Sequence, residues 1–295
     1  MSERLTIAIP FHRGVDWLEA AVRSVLAQTR GDWRLFVVDD GGAEQGAEAR
    51  LRAIGDARID YHRNPGHLGM VPTWNRCIEL ADTELVTLLH ADDLLLPGYA
   101  ELVLGLARAA PEAVAVCCEA RIIDAAGRPA FSLADAVKPW FRPRGEPVVL
   151  RGEDGLRALM AGNFIMCPTL CFRKAALGDR RFSEEWRQVQ DLDLTSRLLL
   201  AGDAIVCSGR VAYAYRRHPE GTTARQSDSG LRFEEEIRLF ERVATRAEER
   251  GWRRAAAVAR RKRIVRLHLV WRCLRDLARG RPDRAAGWLR WLSRC

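Results

Sequence analysis

The stretch "ELVTLLHADDLLLPGYAEL", residues 84–102, decides the fold. An apolar run, Leu85 to Leu89, stops at His90, Ala91, Asp92 and Asp93, and a second apolar stretch leads on to Pro97 and Gly98. Parallel strands buried on both faces read as continuous apolar runs. A single Asp at such a strand end needs no more than a turn or a helix cap. Two in a row at the mouth of a buried strand fit a turn less well. In open parallel sheets, ligands bind beyond the carboxyl ends of the strands. Asp92 and Asp93 therefore stand where a ligand would be.

Working outward, the same pattern recurs. "RLTIAIP" (4–10) reads as a strand, and "VDWLEAAVRSVLAQT" (15–29) sets Val15, Leu18, Val22, Val25 and Leu26 at helical spacing. "WRLFVVDD" (33–40) is a second buried strand closed by Asp39 and Asp40. A Gly-marked loop and helix follow, then the strand "ARIDYHRN". Next comes the Gly-rich turn and helix of "NPGHLGMVPTWNRCIELA". "PGYAELVLGLARAA" reads as a helix with Pro97 in its first turn. This alternation predicts a mostly parallel α/β sheet flanked by helices.

Beyond residue 111 the pattern changes. "AVAVCCEARIIDAAGRPAF" suggests two strands around a Gly turn, and residues 132–150 are Pro-rich and irregular. "VLRGEDGLRALMAG" and "QDLDLTSRLLLAGD" read as helices, while "NFIMCPTLCFRKAAL" and "AIVCSGRVAYAYRRHP" each hold a strand. From Ser229 onward the reading is nearly all helical.

The 295 residues are 48% hydrophobic, enough for a sizeable core and too many for global disorder. Eight cysteines are scattered without a CxxC pair, which predicts reduced thiols and a cytoplasmic protein. The first residues lack the basic and long apolar regions of a secretory signal. No run reaches the length of a membrane span. Net charge is +8, but residues 251–295 alone carry +12, so the body is acidic and the tail basic. Within the tail, Ile264, Leu267, Val270, Trp271, Leu274 and Leu277 recur at three- and four-residue steps among arginines. That composition suits a helix lying on an anionic membrane surface, peripheral to the inner face of the membrane. The alternative is the same apolar face packed on the body. An acidic body argues against nucleic acid as the partner.

In a parallel sheet the two Asp pairs share one carboxyl edge, and the turn "PFHRG" after the first strand reaches it too. The G-x-G-x-x-G of a dinucleotide-binding domain is absent there, as is a P-loop. A phosphate would have to be handled otherwise, and a divalent cation held by carboxylate is the obvious device.

Together, "IAIPFHRGVDWLEAAVRSVLAQT", "GDWRLFVVDDGG", "PGHLGMVPTWNRCIELADTELVTLLHADDLLLPGYAE" and "QDLDLTSRLLLAG" resemble glycosyltransferase family 2, of the GT-A fold. The resemblance covers most of residues 4–201. It implies a single sugar moved from a nucleotide-diphosphate donor, UDP by default, to an acceptor hydroxyl with inversion. A divalent metal, Mn2+ or Mg2+, would assist. The setting implied is polysaccharide, lipopolysaccharide or other glycoconjugate biosynthesis, with a glycan, a lipid-linked molecule or a small molecule as acceptor. By the same resemblance Pro10, Phe11 and His12 form the donor-base turn. Asp39 bonds the base, with Asp40 beside it. Asn64, Gly66 and Gly69 form the turn near the nucleotide, and Asn75 lies on the helix that follows. His90, Ala91 and Asp92 occupy the D-x-D motif, Asp92 being the metal ligand. Asp191 is the catalytic base, with Asp193 the weaker candidate.

His90 and Gln190 depart from the pattern, standing where Asp and Glu are usual. Arg216, Arg217 and His218 are expected to steady the diphosphate or order a lid, unless they form only a solvated loop. The implied organisation is a catalytic domain over 1–229 and a basic helical extension over 230–295. In the catalytic domain, residues 1 to about 110 are the nucleotide-binding half and the rest, to 229, the acceptor-binding half. Two other readings remain: a non-catalytic nucleotide-sugar binding protein, and a sugar-nucleotide nucleotidyltransferase.

Overall fold

The structure is a computed structural model and describes residues 4–42, 46–132, 137–218 and 230–295. Its N-terminal half follows the alternation in the sequence. The elements are β1 (Leu5–Phe11), α1 (Val15–Leu26), β2 (Trp33–Asp39), α2 (Ala47–Ile54), β3 (Ile59–Arg63), α3 (Met70–Leu80) and β4 (Leu85–Leu88). β1 pairs parallel with both β2 and β4, and β2 pairs parallel with β3. Successive side chains on these strands enter two different cores. Ile7, Ile9, Leu35 and Val37 face the side covered by α1 and α2, and Ala8, Phe36, Val38 and Val86 face the side covered by α3. That double burial is why the strands read as unbroken apolar runs.

β5 (Leu94–Leu95) and α4 (Tyr99–Ala109) follow; the helix begins after Gly98, so Pro97 precedes its first turn rather than occupying it. Leu94 and Leu95 form a short strand, antiparallel to Tyr213 and Ala214, that the sequence reading did not separate from the helix. The region read as two strands around a Gly turn is one long strand, β6 (Ala113–Ile123). Its return is a single bridge from Ile123 to Pro129.

The remaining elements of this half are β7 (Val148–Leu150), α5 (Gly152–Gly162), β8 (Cys171–Arg173), α6 (Lys174–Leu177), α7 (Gln190–Ala201) and β9 (Ala204–Arg216). The sheet order is β3-β2-β1-β4-β8-β6-β9-β5, with β7 added on β9. β8 runs antiparallel to both β4 and β6, and β6 and β9 are parallel to each other.

Four helices end the chain: α8 (Leu231–Glu249), α9 (Arg253–Arg261), α10 (Arg263–Ala278) and α11 (Pro282–Leu292). Their buried side chains, among them Phe233, Phe240, Val243, Ala256, Leu269 and Trp288, join the same core as α3, α5 and α7. α10 packs inward through Val265, Leu269 and Cys273, together with Arg272 and Asp276. The stripe expected either to pack on the body or to meet a membrane is outside: Leu267, Val270, Trp271, Leu274 and Leu277 are exposed, and only Ile264 is half buried. No described helix is long and apolar enough to cross a membrane. All eight cysteines are free thiols.

Candidate active site

The carboxyl ends of β1 and β4, the turns after them, the start of α7 and the first turn of α8 enclose a cleft of about 930 Å³. Pro10 and Phe11, the last residues of β1, and His12 just after it line the cleft. The turn is held close by glycine. A Cβ on Gly42 would come within 1.9 Å of the His12 carbonyl, and Gly41 has φ +64. This is why the Asp pair after β2 is followed by two glycines.

The two carboxylates after β2 serve mainly to build the rim. Asp39 is buried and does not line the cleft. Its Oδ2 accepts the Tyr61 hydroxyl at 2.6 Å, and its Oδ1 accepts the Gly42 N–H at 3.1 Å. Asp40 does line the cleft, but its oxygens accept Asn64 Nδ2 (2.8 Å) and the N–H groups of Leu68 (2.8 Å) and Gly69 (2.9 Å). Burial pushes its pKa up, and the hydrogen bonds from Asn64, Leu68 and Gly69 outweigh that and hold it below the usual carboxylate value. His67 Nδ1 lies 2.8 Å from Asp40, and its ring sits 4.4 Å from that of His12.

Asn64 and Gly69 are thus supports of Asp40, and neither lines the cleft. Asn75 is placed elsewhere. Its side chain makes a reciprocal pair with the backbone of Phe182, accepting that N–H and donating to that carbonyl. The residue fastens the approach to α7 onto α3, and both of its polar atoms are used there.

The pair after β4 divides. Asp92 stands half-buried at the cleft wall, with His218 Nε2 3.0 Å from its Oδ2. Asp93 is fully buried: its oxygens accept the Tyr213 hydroxyl (2.9 Å) and the Arg216 N–H (2.7 Å), both from β9. Burial, with Asp92 adding to it, raises the Asp93 pKa. His90 lies over Trp74, ring centroids 5.3 Å apart, and burial pushes its imidazole toward the neutral form. Among the described residues its Nε2 is buried without a hydrogen-bond partner, as is His218 Nδ1.

Ring nitrogens and oxygens of His90, Asp92 and Asp93 lie within 4.8 Å of one another. With Asp93 spent on β9, the donors open to a cation are Asp92, the neutral imidazole of His90 and His218. Asp92 and His90 belong to that cluster and His218 is held beside it through Asp92, a carboxylate and imidazole set that fits a divalent metal.

Asp191, in the first turn of α7, lines the same cleft, and so does Gln190, whose Nε2 is buried without a hydrogen-bond partner among the described residues. Asp193 turns the other way: it is buried and paired with Arg197 Nε at 2.8 Å, which removes it as a candidate base.

Arg216, Arg217 and His218 all line the cleft. Arg216 is a strap as much as a ligand group, donating to the carbonyls of Asp92, Asp124 and Ala125. The chain just beyond His218, where a lid was expected, lies outside the described residues.

Sequence reasoning missed several lining residues. Trp17 packs its ring 4.4 Å from that of His218, and its signal is a Trp one step off the buried stripe of α1. Arg232 and Glu236 bring α8 to the cleft edge, while Glu235 accepts the N–H groups of Arg187 and Gln188 and so fastens the loop before α7. Nothing local in "LRFEEEIRLF" marks which of its acids does this.

Residues 6–174 match the family described as glycosyl transferase family 2. An uncharacterised glycosyltransferase of Rickettsia typhi is 26% identical over 199 residues, 67% of this chain and 59% of that protein. An uncharacterised protein of Mycobacterium tuberculosis is 32% identical over 96 residues, 32% of this chain and 29% of that protein. The chain thus spans less than two thirds of the length of these relatives.

Among solved structures, S. aureus TarS 1-349 in complex with UDP-GlcNAc shares the fold at TM-score 0.63 and 15% identity. It covers 82% of this chain and 66% of that one. A mannosyltransferase of Pyrobaculum calidifontis in complex with GDP-Man and Mn2+ does so at TM-score 0.65 and 13% identity, over 100% of this chain and 84% of that one. With the family match running over more than half its length, the chain belongs to glycosyltransferase family 2.

Proposed function

We propose that the protein is an inverting glycosyltransferase that moves one sugar from a nucleotide-diphosphate donor to an acceptor hydroxyl. The observation that carries this reading is the shared cleft. Asp92 with His218, and Asp191 at the start of α7, line one cavity, whereas Asp39, Asp93 and Asp193 are consumed by the fold. UDP is the default nucleotide. TarS was solved with UDP-GlcNAc and the Pyrobaculum enzyme with GDP-Man, so both base types remain within the reading.

In this reading the turn of Pro10, Phe11 and His12 receives the nucleobase. Asp92, His90 and His218 are the groups that would hold Mn2+ or Mg2+. When bound, such a cation offsets the charge that grows on the departing diphosphate. Arg216 and Arg217 line the same wall. Asp191 takes the proton of the acceptor hydroxyl as its oxygen bonds to the anomeric carbon. The bond from that carbon to the diphosphate oxygen breaks, and the nucleoside diphosphate leaves. Attack from the face opposite the diphosphate inverts the centre. General-base help of this kind is worth about 10²–10⁴-fold. Gln190 cannot serve as the base.

The division follows: a catalytic domain to residue 229 and an extension whose first helix closes one side of the cleft through Arg232 and Glu236. The setting is glycan or glycoconjugate synthesis in the cytoplasm, a placement supported by eight unpaired cysteines. The test is a thermal-shift screen of nucleoside diphosphates with and without Mn2+, followed by turnover with the best donor. Metal-dependent stabilisation and a product of inverted anomeric configuration are expected. If no nucleoside diphosphate stabilises the protein under any metal condition, the reading fails.

A further inference from the structure

Helix α10 is folded inside out. Its inward face carries Arg272 and Asp276 among Val265, Leu269 and Cys273. Asp276 is 0% exposed and accepts Trp288 Nε1 at 2.7 Å, and Arg272 lies over the Trp288 ring. Its outward face is the more apolar one. Leu267, Trp271, Leu274 and Leu277 are 55%, 37%, 61% and 51% exposed, and Leu289 of α11 is 54% exposed. A helix normally turns its apolar stripe to the core. Here polar groups go inside while leucines go out, so the outer stripe is kept for something other than folding.

We propose that the outer face of α10, with the adjoining part of α11, is a docking surface for an anionic lipid bilayer. The charges around it select that occupant. Arg263, Arg266 and Arg290 on these two helices, and Arg279 and Arg281 in the turn between them, are exposed. Of the two acids in residues 251–295, Asp276 is buried and Asp283 is exposed. An arginine rim around leucines and a Trp matches the make-up of helices that lie in the interface of anionic membranes. A second copy of the same surface would bring arginine against arginine, which disfavours self-association.

The surface is also joined to the cleft. Phe233 of α8 packs edge-on against His268 of α10 and Trp288 of α11, and its neighbours Arg232 and Glu236 line the cleft. A docked enzyme would hold that cleft wall two helices from the lipid, a placement suited to an acceptor carried in the membrane. The docking itself does not depend on the catalytic reading.

The test is flotation of the full chain with vesicles of phosphatidylcholine alone and of phosphatidylcholine mixed with phosphatidylglycerol. The comparison variant is Leu274→Glu with Leu277→Glu, two changes at exposed positions that spare the core. The native chain should float with the anionic vesicles, less so as salt is raised, and not with the neutral ones. The double variant should lose about tenfold or more of the bound fraction, since it removes apolar burial and adds repulsion. Its melting temperature and its response to nucleoside diphosphate should be unchanged, which separates this result from any failure of the catalytic reading. The proposal is overturned if the native chain stays unbound to anionic vesicles at low salt, or if the variant floats equally well. It is also overturned if the native chain is a dimer that the double variant splits into monomers without either form binding vesicles.

Discussion

Two pairs of adjacent aspartates close two strands of one sheet, and the fold spends them differently. After β2, Asp39 and Asp40 both hold loops: one takes Tyr61 and Gly42, the other takes Asn64, Leu68 and Gly69. After β4, Asp93 holds β9 through Tyr213 and Arg216, while Asp92 is left at the cleft wall beside His218. The pair at the start of α7 divides the same way, with Asp191 at the cleft and Asp193 locked to Arg197. A carboxylate with its lone pairs already filled by N–H and O–H donors is a structural part. One that lines a cleft is within reach of a ligand.

That contrast can be broken by substitution, and the largest effect should come from Asp191. Asp191→Asn should keep donor binding and the melting temperature while lowering transfer on the order of 10²-fold or more. Near-native turnover by a folded variant would return the base role to another group. Asp92→Ala comes next. Nucleoside diphosphate should still bind, but the part of its affinity that depends on Mn2+ should vanish, as read by calorimetry with and without the metal. Affinity that keeps its full metal dependence would move the cation elsewhere.

The buried members should behave in the opposite way, losing stability first. Asp93→Ala strands the Tyr213 hydroxyl and the Arg216 N–H, and about 1–3 kcal/mol of stability should go with them in urea denaturation. A variant as stable as the native chain would show that the β9 contacts carry no weight.

The smallest effect should be at Asp40, and it is sharpest in pH. Its folded pKa lies below the unfolded value of 3.8. Its contribution is therefore fully present above that value and is lost as the pH falls through it toward the lower folded pKa. Asp40→Asn should lose this modest contribution near neutrality and flatten the acid limb of the stability curve below about pH 4, where the native chain loses it too. An acid limb of unchanged slope would mean that other carboxylates set it.

Much of the N-terminal part of the sheet was legible. Strands buried on both faces need apolar residues at every position, and the helices between them need apolar residues at helical spacing. Both patterns are local. The rim of Pro10, Phe11 and His12 followed from chain order alone, because a parallel sheet brings its strand ends to one edge. Asn75 was not legible as a clamp, because its partner, the Phe182 backbone, is more than a hundred residues away. Glu235 was hidden for the same reason, as one of three acids in a row on a helix whose inward face only packing defines.

The sequence by itself determined the α/β alternation, the family and the positions at which carboxylates gather. The tertiary structure decided which of them point into the cleft. Asp92 and Asp93 are chemically identical neighbours, and only the return of β9, with Tyr213 and Arg216, draws one inward and leaves the other out. The same holds for α10. Periodicity marks an apolar stripe on a helix, but a stripe has no intrinsic inside. Its facing was set by Asp276 and Arg272 meeting Trp288, a contact formed only once α11 had packed back across the helix.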